Sequence, residues 1–118
     1  MSVTFEKSQV PKSAQLKISI QLSTEVKVSA FVAKQKVNRF VISQIGNLLH
    51  AGEPHLFVAD RIYWRVPVFF SLPSVGQVGQ VGEIDVDVQT GEMMTDPALV
   101  QGISRNAELL ASSPPSNP

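Results

Sequence analysis

Residues 83–93 alternate acidic and apolar side chains and then reach a Thr-Gly pair. A period of two places Glu83, Asp85 and Asp87 on one face of a β-strand and their apolar neighbours on the other. Gly91 predicts a tight turn after the strand, because glycine readily adopts the positive φ that such turns require. The pattern therefore constrains the fold, but it identifies no chemical activity.

A second, longer strand is predicted at residues 62–72. Its apolar side chains fall on one face, and Tyr63, Arg65 and Phe69 fall on the other. Pro67 lies inside this pattern and has no N–H to donate, so we expect an edge strand or a bulge at this position. We expect the two strands to pair antiparallel, with their apolar faces against a helix.

That helix is predicted at residues 29–51. Ser29 is a suitable N-cap, and Gly52 with Pro54 ends the helical pattern. Gly46 lies inside the predicted helix, where we expect it to allow a close approach to the sheet. The apolar stripe consists of Val37, Phe40, Val41, Ile45, Leu48 and Leu49.

Shorter signals complete the predicted fold. Residues 16–22 and 56–59 are predicted strands, and residues 73–82 are a glycine-rich, mobile hairpin connection that could extend the flanking strands. Asp96 followed by Pro97 begins the last helix. The predicted class is α+β: an antiparallel sheet of about four strands, one long helix packed on a face, and a shorter C-terminal helix.

The domain organisation follows from chain length and from the composition of the two ends. A chain of 118 residues is expected to form one domain. We assign residues 1–111 to this domain, with residues 1–14 as a loosely ordered lead-in, and residues 112–118 to a disordered Ser/Pro tail.

Composition excludes several classes of function. Ten basic residues balance ten acidic residues, so the chain has no net charge to attract nucleic acid. Cysteine is absent, which excludes disulfides and thiolate chemistry. Residues 1–15 lack the apolar core of an export signal, and the longest apolar run, residues 66–70, is far shorter than the roughly 18 residues of a membrane span. We therefore expect a cytoplasmic protein that binds neither nucleic acid nor membrane.

The aromatic-x-Val strand at residues 64–66 and the sequence VDVQTGEM at residues 86–93 resemble the PepSY-type module. The likeness covers about residues 32–94. It implies a helix before an antiparallel sheet, and members of that family are mostly secreted or membrane-tethered proteins that bind a peptidase or another partner. This chain differs in its longer glycine-rich link and its added C-terminal helix. The resemblance implies core positions for Trp64 and Val66, and turn-shaping roles for Asp87, Thr90 and Gly91.

Possible catalytic and metal sites have simpler structural explanations. Glu83, Asp85 and Asp87 could together hold a hard cation, but same-face strand residues stand nearly 7 Å apart. His50 and His55 are five residues apart and span a helix end, where we expect His50 to occupy the last helical turn. No serine lies in a nucleophile elbow, and no glycine pattern forms a phosphate loop. We assign no catalytic residue, metal ligand or cofactor.

Two surface clusters remain. Lys34, Lys36, Arg39, Arg61 and Arg65 could form a nucleic-acid surface, although a solvated helix face is the simpler interpretation. Aromatic side chains beside an arginine have the composition of a protein interface. The tentative interaction residues are Tyr63, Arg65 and Phe69.

These observations favour a non-enzymatic interaction or regulatory module. We expect a homo-oligomer or a protein partner, bound through the tentative interaction residues. The alternative is a small-ligand or metal-binding domain that uses the carboxylate strand or the glycine-rich connection. Whether the three carboxylates ever bind a cation stays open at this stage.

Overall fold

The computed structural model describes residues 23–112. Along this part of the chain the elements are α1 (Ala30–Gln44), β1 (Leu49–Ala51), β2 (His55–Val58), β3 (Ile62–Leu72), β4 (Gly76–Asp87) and α2 (Pro97–Ser112). The predicted lead-in and the predicted strand at residues 16–22 lie outside the described residues, as do residues 113–118 of the predicted tail. Ser112, which we assigned to that tail, is the last residue of α2.

The four strands form one antiparallel sheet with β3 at its centre. β4 pairs along one side of β3, while β2 and β1 pair in succession along the other side. The predicted α+β class and the antiparallel pairing of residues 62–72 with residues 84–88 are confirmed. The two helices have 15 and 16 residues and are therefore almost equal in length.

We expected an edge strand or a bulge at Pro67. The edge strand is wrong, because β3 has neighbours on both sides, and the register shifts of the β3–β4 pair come after Val68 and Phe70. The proline is tolerated at the point where β2 has ended and β1 has not yet begun. Its carbonyl accepts the N–H of Gly52 at 2.8 Å, so this side of Pro67 faces the link between β1 and β2. A backbone N–H at this position would point to the same side as the carbonyl. Neither β2 nor β1 pairs with Pro67 there, so the proline breaks no hydrogen bond between these strands.

Helix α1 begins as predicted, since the side chain of Ser29 accepts the N–H of Val32 at 3.1 Å. It ends at Gln44, however, and not at residue 51. Gly46 follows the helix, and a Cβ placed there meets no atom within 4 Å, so the expected close approach to the sheet is also wrong. The apolar pattern continues beyond the helix because Leu49 is buried on strand β1.

Strand β4 includes most of the segment that we predicted to be a mobile connection. Only residues 73–75 form the hairpin turn. Two register shifts leave Val78 and Val81 as extra residues in β4. Corresponding side chains of the two successive Gln-Val-Gly triplets therefore face the same side of the sheet. Each triplet thus places its glutamine opposite Phe69 or Ser71 and its glycine on the other face of the sheet.

Both helices cover the same face of the sheet. The fully buried α1 residues Val37 and Val41 share one apolar core with Ile103 of α2. α2 packs closely on β4 because two glycines leave room: a Cβ at Gly82 lies 2.6 Å from Cγ1 of Ile103, and one at Gly79 lies 3.2 Å from Cδ1 of Leu110. The sheet residues of this core are Leu49, Ala51, Val66, Val68, Phe70, Val81, Ile84 and Val86.

Two local sequence signals near the sheet are confirmed. Gly91 has a φ of 78°, which is the left-handed conformation predicted for the turn after β4. The carboxylate of Asp96 accepts the N–H of Leu99 at 2.8 Å and caps α2. The turn at Gly91 and the cap at Asp96 both lie in the segment that joins β4 to α2.

Candidate functional site

The face of the sheet opposite the helices carries the tentative interaction residues, and we call it the open face. Across the β3–β4 pair, Tyr63 lies opposite Asp87, Arg65 lies opposite Asp85, and Pro67 lies opposite Glu83. Strand alternation therefore places the three carboxylates on one face, as the sequence predicts. Directly opposed side chains on adjacent strands are close enough to interact.

Arg65 is the central side chain of the open face. Its Nε and Nη2 donate to the two carboxylate oxygens of Asp85 at 2.9 and 3.0 Å. Its Nη1 lies 3.5 Å from Oε1 of Glu83, and its guanidinium carbon lies 3.4 Å from the centre of the Phe57 ring. The hydrogen bonds to Asp85 raise the pKa of Arg65. A two-pronged ion pair and a cation–π contact hold this cation in one orientation.

A second ion pair fixes the end of β4. Asp87 is 3% exposed and accepts a hydrogen bond from Arg61. The same carboxylate accepts the N–H groups of Gln89 at 2.8 Å and Thr90 at 3.0 Å. The Arg61 hydrogen bond and these two backbone donors lower the pKa of Asp87 to about 2, against the opposing effect of burial. Asp87 therefore holds the turn in place.

Tyr63 is buried, with only 7% of its surface exposed. Its hydroxyl donates to Oδ1 of Asp60 at 3.0 Å. Burial, followed by this hydrogen bond, raises the pKa of Tyr63. The predicted interaction residue is therefore a packed part of the sheet, while Arg65 and Phe69 stay half-buried.

Phe69 and His50 lie together at the end of the open face that is away from Tyr63. The two rings stack with their centres 5.7 Å apart. Nδ1 of His50 lies 3.3 Å from the hydroxyl of Ser71, and Nε2 lies 3.4 Å from Oε1 of Gln77. The expected place of His50 in a helical turn is wrong, because the residue lies on β1.

The three predicted residues do not form one cluster. Tyr63 and Phe69 are six residues apart on β3, or about 20 Å at the usual rise of a strand. Arg65 contacts Phe57 of β2, which we did not predict. The alternation in residues 55–58 is the sequence signal that could have placed Phe57 on this face. Four residues are, however, too few to indicate which face of a sheet each side chain occupies.

The carboxylates of the open face are engaged by arginine side chains. Arg65 contacts Asp85 and Glu83, and Arg61 contacts Asp87. Within residues 23–112, no group of three or more His, Asp and Glu side chains has an arrangement that could hold a metal ion. The geometry therefore gives the metal-binding alternative no support.

The predicted basic cluster is divided between the two sides of the sheet. Its helical members are on α1, while Arg61 and Arg65 are paired with carboxylates beside the open face. Lys34 is paired with Glu53 at 2.6 Å, and Lys36 donates to the carbonyl of Gly91. These contacts leave no continuous basic surface that joins the helix to the strand.

Comparison of the chain with protein-family models, with curated proteins and with solved structures finds no match. Among residues 23–112, neither helix has the length and apolar character needed to cross a bilayer. The fold and the open face thus define the class: an α+β domain with one face of its sheet covered by helices and the other lined by aromatic rings and ion pairs.

Proposed function

We propose that this chain is a non-enzymatic protein-interaction module that binds a second copy or another protein through the open face. The observation that carries the proposal is the fixed guanidinium of Arg65, held by Asp85 over the ring of Phe57 and half-buried on a sheet face that neither helix of residues 23–112 covers. Arginine and aromatic side chains dominate the binding energy of protein interfaces. A cation that is already oriented loses little conformational entropy on binding.

The chemistry of the open face also supports a protein partner over a small substrate. Apart from His55, which is exposed opposite Arg65, its titratable groups are used in internal contacts: His50 stacks on Phe69, and Asp85 and Asp87 bind arginines. General acid–base catalysis needs a group within reach of a substrate proton. A surface that carries both arginines and carboxylates, with aromatic rings at both ends, suits a protein surface of mixed polarity.

A relationship to PepSY-type modules stays part of this proposal. It is supported by the order of α1 before the antiparallel strands and by the turn that Asp87 and Gly91 form after β4. Binding of a protein partner is the function that this resemblance implies. Self-association and a cytoplasmic location are likewise predictions from the sequence.

Site-specific photocrosslinking tests the proposal directly. A photoreactive phenylalanine analogue replaces Phe69 on the open face, and in a matched variant it replaces Leu109, which is 58% exposed on α2. In the cells that produce the protein, we expect a discrete crosslinked product from position 69 and none from position 109. Equal labelling from both positions, or no product from position 69, contradicts the proposed surface.

Analytical ultracentrifugation then separates the two kinds of partner. If the partner is a second copy, the purified chain should show a concentration-dependent mass that Arg65→Glu abolishes and Leu109→Glu does not. If the mass stays monomeric, the photocrosslinked product should contain a different protein. A strict monomer that also gives no crosslinked product overturns the proposal.

A further inference from the structure

A groove lies between the two helices on the helix side of the sheet, away from the open face. Its volume is about 240 Å³, which is below the range of cavities that hold drug-sized ligands and therefore suits a smaller molecule. The chain that leaves α1 forms one wall, the last turns of α2 form the other, and buried side chains of β1 and β3 form the floor. Its apolar lining consists of Ile45, Leu48, Leu49, Phe70, Ala107 and Ala111.

Both helices end at this groove. Ile45, which caps α1, and Gly46 line one side, while Glu108 and Ala111 of the last two turns of α2 line the other. The C-terminal end of a helix carries roughly half a negative charge. Neither helix of residues 23–112 has a basic side chain in its last turn that would offset this charge. The two helix ends together therefore give the groove a negative potential.

Glu108 adds a full negative charge at the rim of the groove. Among residues 23–112 its carboxylate belongs to no ion pair, although Arg105 is only three residues away on α2. The carboxylate and the two helix ends have the same sign, so each of them favours an opposite charge on a ligand. A cation with an apolar body is the kind of molecule that matches both the potential and the apolar lining.

We propose that this groove binds a small organic cation, an ammonium ion attached to a short apolar chain. The ammonium group lies at the rim and pairs with the carboxylate of Glu108, while the apolar chain lies on Leu49 and Phe70. Asn47 and Ser104 also line the groove, and their side-chain oxygens can accept the remaining ammonium hydrogens. This inference concerns the side of the sheet opposite to the open face and does not rest on the proposed function.

A series of ligands with one chain length and different charges tests the proposal. The probes are hexylammonium, neutral hexanol and hexanoate, each titrated into the full isotope-labelled chain and followed by amide chemical shifts. We expect hexylammonium to bind saturably with a Kd of about 1 mM, which is within the range for a ligand of this size. The shifted amides should be those of residues 45–49 and 104–111. Hexanol should bind more weakly, and hexanoate at least about tenfold more weakly, because the negative potential opposes a carboxylate.

Two variants with matched controls separate the contribution of charge from that of shape. Glu108→Gln should weaken hexylammonium binding about fivefold, the upper range for an exposed ion pair, and leave hexanol binding unchanged. Glu92→Gln removes the same charge outside the groove and should change neither affinity. Ala111→Leu fills the groove and should abolish saturable binding of both ligands, whereas Ala98→Leu, in the first turn of α2, should have no effect.

Four results would overturn the inference. The first is a lack of saturable hexylammonium binding, and the second is hexanoate binding that is as tight as that of hexylammonium. The third is a set of shifted amides outside the groove. The fourth is an affinity for hexylammonium that Glu108→Gln leaves unchanged, since the groove would then select an apolar chain and not a cation.

Discussion

The two faces of the sheet are stabilised by different interactions. On the covered face, Val66, Val68 and Ile84 have no exposed surface and pack against the helices. On the open face, Arg65 and Asp85 form a half-buried ion pair. Full burial of an aliphatic side chain stabilises a fold by about 1.5–3 kcal/mol, whereas an exposed ion pair contributes about 0–1 kcal/mol.

The covered face can maintain the fold when residues of the open face change, since most of the burial is on the helix side. If the open face binds a partner as we propose, stability and binding depend on different faces of the sheet. Substitutions on the two faces should therefore differ in their effects on unfolding and on binding.

The largest expected effect is on the covered face. Ile84→Ala removes a fully buried side chain and should lower the free energy of unfolding by about 2–5 kcal/mol. Phe69→Ala on the open face should cost less than half as much, because Phe69 is only half-buried. Urea unfolding followed by the fluorescence of the single tryptophan, Trp64, measures both values. Equal losses would break the distinction between the faces.

The contact between α2 and β4 should produce the next largest effect. Gly82→Ala places a methyl group 2.6 Å from Cγ1 of Ile103, which forces the helix or the side chain to move. We expect a loss of about 1–3 kcal/mol. Gly79→Ala is the matched control, because its methyl group meets only the end of the Leu110 side chain, at 3.2 Å. In a double-mutant cycle with Ile103→Ala, additive effects would contradict a direct clash.

The smallest expected effect concerns Asp87 and depends on pH. Because the folded state lowers the pKa of Asp87 to about 2, its stabilising contribution is present above about pH 4 and is lost as the pH falls toward 2. Arg61 is partly exposed, so we expect a contribution on the order of 1 kcal/mol. Asp87→Asn should remove this part of the pH dependence, as measured by urea unfolding between pH 2 and pH 6. Asp96→Asn, which preserves a helix cap, should keep it.

Much of the covered face could be predicted from sequence, because its signals are local. The alternation in residues 62–72 and 83–88 gave the pairing of β3 with β4, and Ser29 gave the start of α1. The end of α1 was missed because Leu48 and Leu49 continue the helical spacing after the helix has ended. A three-residue strand such as β1 is too short for a period of two to be recognised.

The contacts of the open face were less predictable, because they depend on register. Without the two bulges in β4, continuing the hairpin pairing of Leu72 with Gly76 would bring Arg65 opposite Glu83. The bulges shift the pairing by two residues, which keeps the same face but brings Arg65 opposite Asp85. A glycine-rich repeat does not reveal how many residues a strand will leave unpaired, so the partner of Arg65 could not be assigned.

The glycine contacts of α2 also limit how this corner of the protein can change in length. Gly79 meets Leu110 and Gly82 meets Ile103, so three strand residues correspond to seven helical residues. Because Val81 is an extra residue in β4, Gly79 and Gly82 lie opposite Phe70 and Val68, which are only two residues apart on β3. The two glycines are therefore about 7 Å apart along the sheet, whereas seven helical residues rise about 10.5 Å. A change in the number of β4 residues between the two glycines would move at least one of them away from the helix side chain that it accommodates.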